Sequence, residues 1–149
     1  MKKQRTWRII FALYLAVMVY LMFLQRIGTE HAHTVPHYNL IPLEGIRIFA
    51  ENLLGDDPYW SRHAVVNLVG NVVMFVPAGF LVPRISGRLR TLVRVLAVCF
   101  GALMCAEVLQ LISLLGSFDV DDIILNMAGV LVGFGLHKAC TKTKKDEEQ

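Results

Sequence analysis

Two carboxyl side chains, Glu107 and Asp122, stand inside apolar runs of this sequence, and each has amide or acid neighbours at helical spacing. Gln110 follows Glu107, Asn126 follows Asp122 and Asp119 precedes it, and Asn67 and Asn71 make a further polar pair. At about 100° per residue, Asn67 and Asn71 fall roughly 40° apart on a helix and Glu107 and Gln110 roughly 60° apart, so each pair shares a face. Measured from Asp122, Asn126 lies at about +40°, Gly129 at about −20°, Gly133 at about +20° and Asp119 at about +60°, which is one polar and small stripe. Carboxylates grouped with amides can act as a general acid or base, hold a hard divalent cation such as Mg²⁺ or Ca²⁺, or simply accept hydrogen bonds from a polar ligand. The plainer reading is that Asn and Gln bond across helices as structural glue. It fits Glu107 least well. An ionised carboxylate amid hydrocarbon costs about 2.5–3.5 kcal/mol even on a lenient scale, and such a group must be protonated, open to water or matched to a cation.

Other reactive residue types form weaker constellations. His31, His33 and His37 give an H-x-H-x-x-x-H run, but no fourth ligand accompanies it and a solvated loop explains it, so no metal site is assigned. Cys99, Cys105 and Cys140 have neither CxxC nor zinc-finger spacing, and the first two act most simply as small hydrophobes in an apolar run. Lys and Arg total 15 against 12 Asp and Glu, and no basic stripe interleaved with aromatics marks a nucleic-acid partner.

The elements that must position these groups are set by an excess of apolar residues. At 55% hydrophobic and a mean hydropathy of +0.52, the chain carries more apolar surface than a soluble domain of 149 residues would bury. Four stretches, 7–24, 65–82, 92–115 and 120–136, approach the roughly 20 residues that cross a bilayer. The first reads as an uncleaved anchor because no small-residue cleavage site follows it. An all-α integral membrane four-helix bundle is the expected fold, in a single domain.

Basic residues assign the direction of the spans. Lys2, Lys3, Arg5 and Arg8, then Arg84, Arg88, Arg90 and Arg94, then Lys138, Lys142, Lys144 and Lys145 all fall on one side after four crossings. That side is expected to be cytoplasmic, with both termini there. The tail 138–149 reads as charged and disordered. The long loop 25–62 lies outside, and within it Ile46, Phe49, Leu53 and Leu54 recur at helical spacing, which predicts an amphipathic helix along the outer interface with Pro42 near its start. Gly55 and Asp56-Asp57-Pro58 read as its stop and a turn, and Tyr59 and Trp60 as an interfacial belt.

Depth joins the two patterns. At about 1.5 Å per residue, Asn71 and Asn126 sit roughly 9 Å below the outer boundary, Gln110 roughly 8 Å, Glu107 roughly 12 Å and Asp122 roughly 3 Å. Three helices of alternating direction thus bring their polar residues to one level, which points to a shared pocket opening outward. Gly129 and Gly133 allow a neighbouring helix to approach on the same stripe. Asp121 projects away from it and is expected to reach the headgroups.

These residues also carry a family resemblance. Asn39-Leu40-Ile41-Pro42-Leu43, the N-x-x-x-N-x-x-x-F-x-P-x-G segment from Asn67 to Gly79, E-x-x-Q from Glu107 to Gln110, and S-F-D-V-D-D-I-I-L-N-x-x-G from Ser117 to Gly129 resemble the VanZ-like membrane proteins. Some relatives carry an Arg before the S-F-D segment and a Thr after the Asn, where this chain has Gly116 and Met127. The resemblance implies a bacterial inner-membrane protein associated with lowered susceptibility to glycopeptide antibiotics, teicoplanin in particular. It implies a phenotype rather than a chemistry. Two functions therefore stay open, both with Asn67, Asn71, Glu107, Gln110, Asp119, Asp122 and Asn126 as the site. One is a protein that binds or rearranges an amphiphile at the outer leaflet, either a lipoglycopeptide or a membrane lipid or lipid-linked wall precursor. The other is a small membrane enzyme acting on a phosphate-bearing lipid, with Glu107 or Asp122 as catalytic acid or base or as ligand to a divalent cation; no other cofactor is called for.

Overall fold

The computed structural model describes residues 2–24, 27, 35–53 and 58–147. Four long helices dominate it: α1 (Lys2–Met22), α3 (Pro58–Ile85), α4 (Leu92–Ser113) and α5 (Val120–Glu147). Each contains a stretch long and apolar enough to cross a membrane, namely Gln4–Met22, Ala64–Ile85, Leu92–Ser113 and Val120–Lys142. The expected all-α bundle of four spans is the observed architecture. Its exterior is apolar at Leu13 and Val17 on α1, Val69 and Val73 on α3, Val93 and Ile112 on α4, and Leu131 and Val132 on α5. A surface of that kind calls for lipid as its solvent.

Packing centres on α3 against α5, with α1 leaning on α3 and α4 on α5. The seam is made of backbone. A Cβ at Gly129 would run into the Val72 carbonyl, one at Gly133 into the Val76 carbonyl, and one at Gly79 into the Val130 carbonyl. Small residues matter here because helices in lipid gain little from apolar burial and rely on close van der Waals contact. Around the seam, Met18, Phe75, Val82, Val95, Leu103, Val130 and Phe134 form one buried cluster.

At the end where α1 starts, Arg84 closes the bundle. Its guanidinium lies 3.6 Å from the Phe80 ring centre and 5.1 Å from that of Trp7, a cation–π stack, and its Nη1 is 2.6 Å from His137 Nδ1. Gln4 and Arg8 both reach the Ile85 carbonyl, so the start of α1 is tied to the end of α3. The helix α5 does not stop near Leu136 as the charged tail suggested but runs to Glu147, with Thr141 bonding back to the His137 carbonyl. Adding one residue to an existing helix fixes only that residue, whereas starting a helix is costly, so polar residues extend a helix they would not nucleate.

The connection between α1 and α3 holds more structure than periodicity showed. It contains β1 (His37–Asn39) and α2 (Glu44–Leu53), and β1 pairs in parallel with β2 (Ser117–Asp119), Tyr38 opposite Phe118. Two three-residue strands carry no alternation that could be read in advance. The helix α2 is there, starting after Pro42 rather than at it, and Leu43 takes a left-handed φ of 68° at its entry. The expected stop at Gly55, the turn at Asp56-Asp57, the Trp60 side chain and the histidines His31 and His33 lie outside the described residues.

Asp121 corrects the expectation most clearly. It does not reach outward but is 3% exposed, and its carboxylate accepts hydrogen bonds from the backbone N–H groups of Leu43 at 2.5 Å and Ile46 at 3.1 Å. Helix N-termini leave unpaired N–H groups and a positive dipole end, which a carboxylate satisfies on both counts. Leu43, as the entry residue of α2, has no side-chain acceptor of its own. Asp121 therefore caps α2 from the start of α5, and Gly45 leaves room for it, since a Cβ there would stand 3.0 Å from Asp121 Oδ2.

Candidate functional site

At the end of the bundle opposite Arg84, the polar residues of α3, α4 and α5 border one cavity of about 290 Å³. Asn67, Asn71, Glu107, Gln110, Asp122 and Asn126 all line it. Asp119 does not. It sits on β2, where its carboxylate accepts from the Asn39 side chain at 3.2 Å and from the Asp121 N–H at 2.8 Å. The helical stripe that placed it beside Asp122 does not hold because α5 begins only at Val120, so residue 119 obeys strand geometry.

The lining groups are held from several elements. Asn71 Nδ2 donates to Asp122 Oδ1 at 2.5 Å across the α3–α5 seam and lies 3.3 Å from Asn67 Oδ1 one turn earlier. Gln110 Nε2 donates to the Met22 carbonyl at 3.1 Å, one of the carbonyls that the end of α1 leaves without a helical partner. Glu107 is 2% exposed, and its Oε2 accepts from the Asp119 N–H at 3.3 Å, so β2 orients it. These bonds do act as glue between helices. Asn126 is different: it is 2% exposed and its Oδ1 has no hydrogen-bond partner. A buried acceptor left unmade costs about 1–3 kcal/mol.

The electrostatics of the lining are one-sided. Two carboxyl groups and three Asn side chains border it, and no Lys or Arg is among its described lining residues. Arg84, Arg88 and Arg94 gather at the other end, while Arg47 on α2 is paired with Glu51. Of the three histidines between α1 and α3 only His37 is described, on β1, and among the described residues no group of three His, Cys, Asp or Glu gathers as metal ligands would.

The sequence also left some lining residues unnoticed. Gly70 and Met74 lie one helical turn from Asn67 and Asn71 on the same face, so the spacing contains them. Met22 and Phe75 had no polar signal, and α1 reads as a mere anchor until Gln110 is seen to hold its end. A cleft of about 220 Å³ lined by α1, α3 and α4 shares Met22 and Phe75 with the polar cavity, and its lining is almost wholly apolar.

Among curated proteins and among solved structures, nothing matches this chain. The family model described as VanZ/LLP1 matches residues 10–141, a span that takes in all the motif segments, both sides of the cavity and nearly all of the four apolar helices. This multi-pass membrane chain therefore belongs to the VanZ/LLP1 family.

Proposed function

We propose that this chain acts in glycopeptide resistance at the outer leaflet, by taking an amphiphile or a lipid-linked wall component into its polar cavity. The observation that carries the reading is a cavity lined by two carboxyl groups and four amide side chains, with the buried Asn126 Oδ1 left without a partner. Passive glue would be satisfied within the protein; a lining that keeps a buried acceptor unmade beside two carboxyl groups suits a site kept for a polar ligand. Placing the cavity at the outer side rests on the basic residues at the opposite end of the bundle, which belong in the cytoplasm together with both termini.

The orientation is tested by single cysteines in a background lacking Cys99, Cys105 and Cys140. A cysteine at Glu51 is expected to react with an impermeant maleimide in intact cells, and one at Lys142 only after lysis. Equal labelling of both in intact cells overturns the topology.

The function is tested in a susceptible bacterium. Expression is expected to raise tolerance of teicoplanin more than of a glycopeptide without an acyl tail, since an acyl chain concentrates the drug at the leaflet. Glu107→Gln and Asp122→Asn keep volume and remove the ionisable group, and each is expected to abolish that tolerance at unchanged membrane abundance. Wild-type tolerance in both variants would make the acids structural and refute the cavity as the functional site.

A further inference from the structure

The ligand's chemistry follows from reading the two cavities as one site, a step that rests on the functional proposal above. We infer that the ligand is a single amphiphile with a small cationic amine head, the head lying among Glu107, Asp122 and Asn126 and the hydrocarbon chain in the apolar cleft between α1, α3 and α4. The cleft and the polar cavity meet at Met22 and Phe75, which line both. One molecule with a polar end and an apolar chain matches that junction.

The head is selected by charge and size. Every ionisable group described in the polar lining is acidic, and a phosphate or carboxylate head would meet carboxyl groups with no Lys or Arg to offset them. An ammonium offers a charge of the opposite sign and several donors for the carboxyl oxygens of the lining. A volume of about 290 Å³ is at the lower end for ligand sites, roughly 300–1,000 Å³, so the cavity takes a small head and not a glycopeptide core.

The chain is selected by the cleft. On α1 its lining runs from Met22 to Phe11, roughly 17 Å of helix at about 1.5 Å per residue, close to the depth of one leaflet. Leu15 and Val19 of α1, Val98 and Ala102 of α4 and Val82 of α3 all line it. Its volume of about 220 Å³ is too narrow for a second helix, which is about 10–12 Å across, but admits a hydrocarbon chain. Val19, Val98 and Ala102 are also exposed on the outside of the bundle, so the cleft opens sideways to lipid and a chain can enter without leaving the membrane.

The test uses the purified full chain titrated in native mass spectrometry with dodecylammonium, dodecyl glucoside and dodecanoate, which share a chain and differ in head, and with butylammonium, which keeps the head and shortens the chain. Dodecylammonium is expected to bind at least on the order of tenfold more tightly than dodecanoate, and the Glu107→Gln/Asp122→Asn double variant is expected to erase that preference. Ala102→Phe puts a ring into the cleft, and the gain in affinity from butylammonium to dodecylammonium is expected to shrink by on the order of tenfold, the equivalent of about two buried methylenes. Equal binding of all three heads, the mark of adventitious lipid-like association, overturns the inference about the head. An unchanged chain-length gain in Ala102→Phe overturns the inference about the cleft. Either failure leaves the antibiotic-tolerance test of Glu107 and Asp122 standing, whereas wild-type tolerance in those variants removes the parent reading itself.

Discussion

Gly129→Ala and Gly133→Ala are each expected to lower the melting temperature of the detergent-purified protein by roughly 5–10 °C, while Gly135→Ala on the same helix leaves it unchanged or slightly raised. At Gly129 and Gly133 an added Cβ meets the backbone carbonyls of Val72 and Val76, and a backbone carbonyl in a helix cannot swing aside. The helices must separate instead. A gap of roughly 0.5–1 Å forfeits a quarter to a half of the dispersion energy along a seam, and overpacking of this kind costs about 1–3 kcal/mol and sometimes more. For a chain of this size that corresponds to roughly 2–4 °C per kcal/mol. At Gly135 nothing stands within 4 Å of the added carbon, so only the better helix propensity of alanine remains. The same melting temperature in all three variants would show that α3 and α5 do not meet backbone to backbone.

Asp121→Ala is expected to release the connection between α1 and α3 while the bundle stays folded. The carboxylate holds two backbone N–H groups at the entry of α2, and hydrogen bonds to charged groups contribute about 1.5–3 kcal/mol each, so local stability should fall by on the order of 3 kcal/mol. That is roughly a hundredfold loss of hydrogen-exchange protection at the Leu43 and Ile46 amides, with amides of α3 near Phe75 unaffected. Asp121→Asn keeps an acceptor without the charge and should fall between. Gly45→Ala crowds the same carboxylate and should loosen the same segment more mildly. Unchanged protection at Ile46 in Asp121→Ala would mean that α2 is held by its packing on α3 and not by this cap. Because the Asp119 N–H beside the cap also donates to Glu107, release of β2 is expected to reach the cavity as well.

The four spans, the polar stripes of α3 and α4, and the GxxxG approach surface of α5 were legible in the sequence because each is a periodic property of a single helix. Hydrocarbon thickness sets a span's length, about 100° per residue sets its faces, and neither depends on what lies next to it. The placement of Asn71, Gln110 and Asn126 at one level follows from rise per residue alone. What periodicity could not supply is which helix each polar group faces. Asp121 reads as an outward acid until α2 is seen to begin against it, and Asp119 reads as part of a helical stripe until β1 draws it into a ladder, since both are governed by residues about 80 positions away. The apolar cleft is likewise invisible in sequence: Leu15, Val98 and Val82 look like any lipid-facing residues, and only the way α1 leans on α3 leaves a gap against α4. Tertiary packing also decided that Asn126 Oδ1 is fully buried without a partner, because satisfaction of a hydrogen bond is a property of pairs and not of positions.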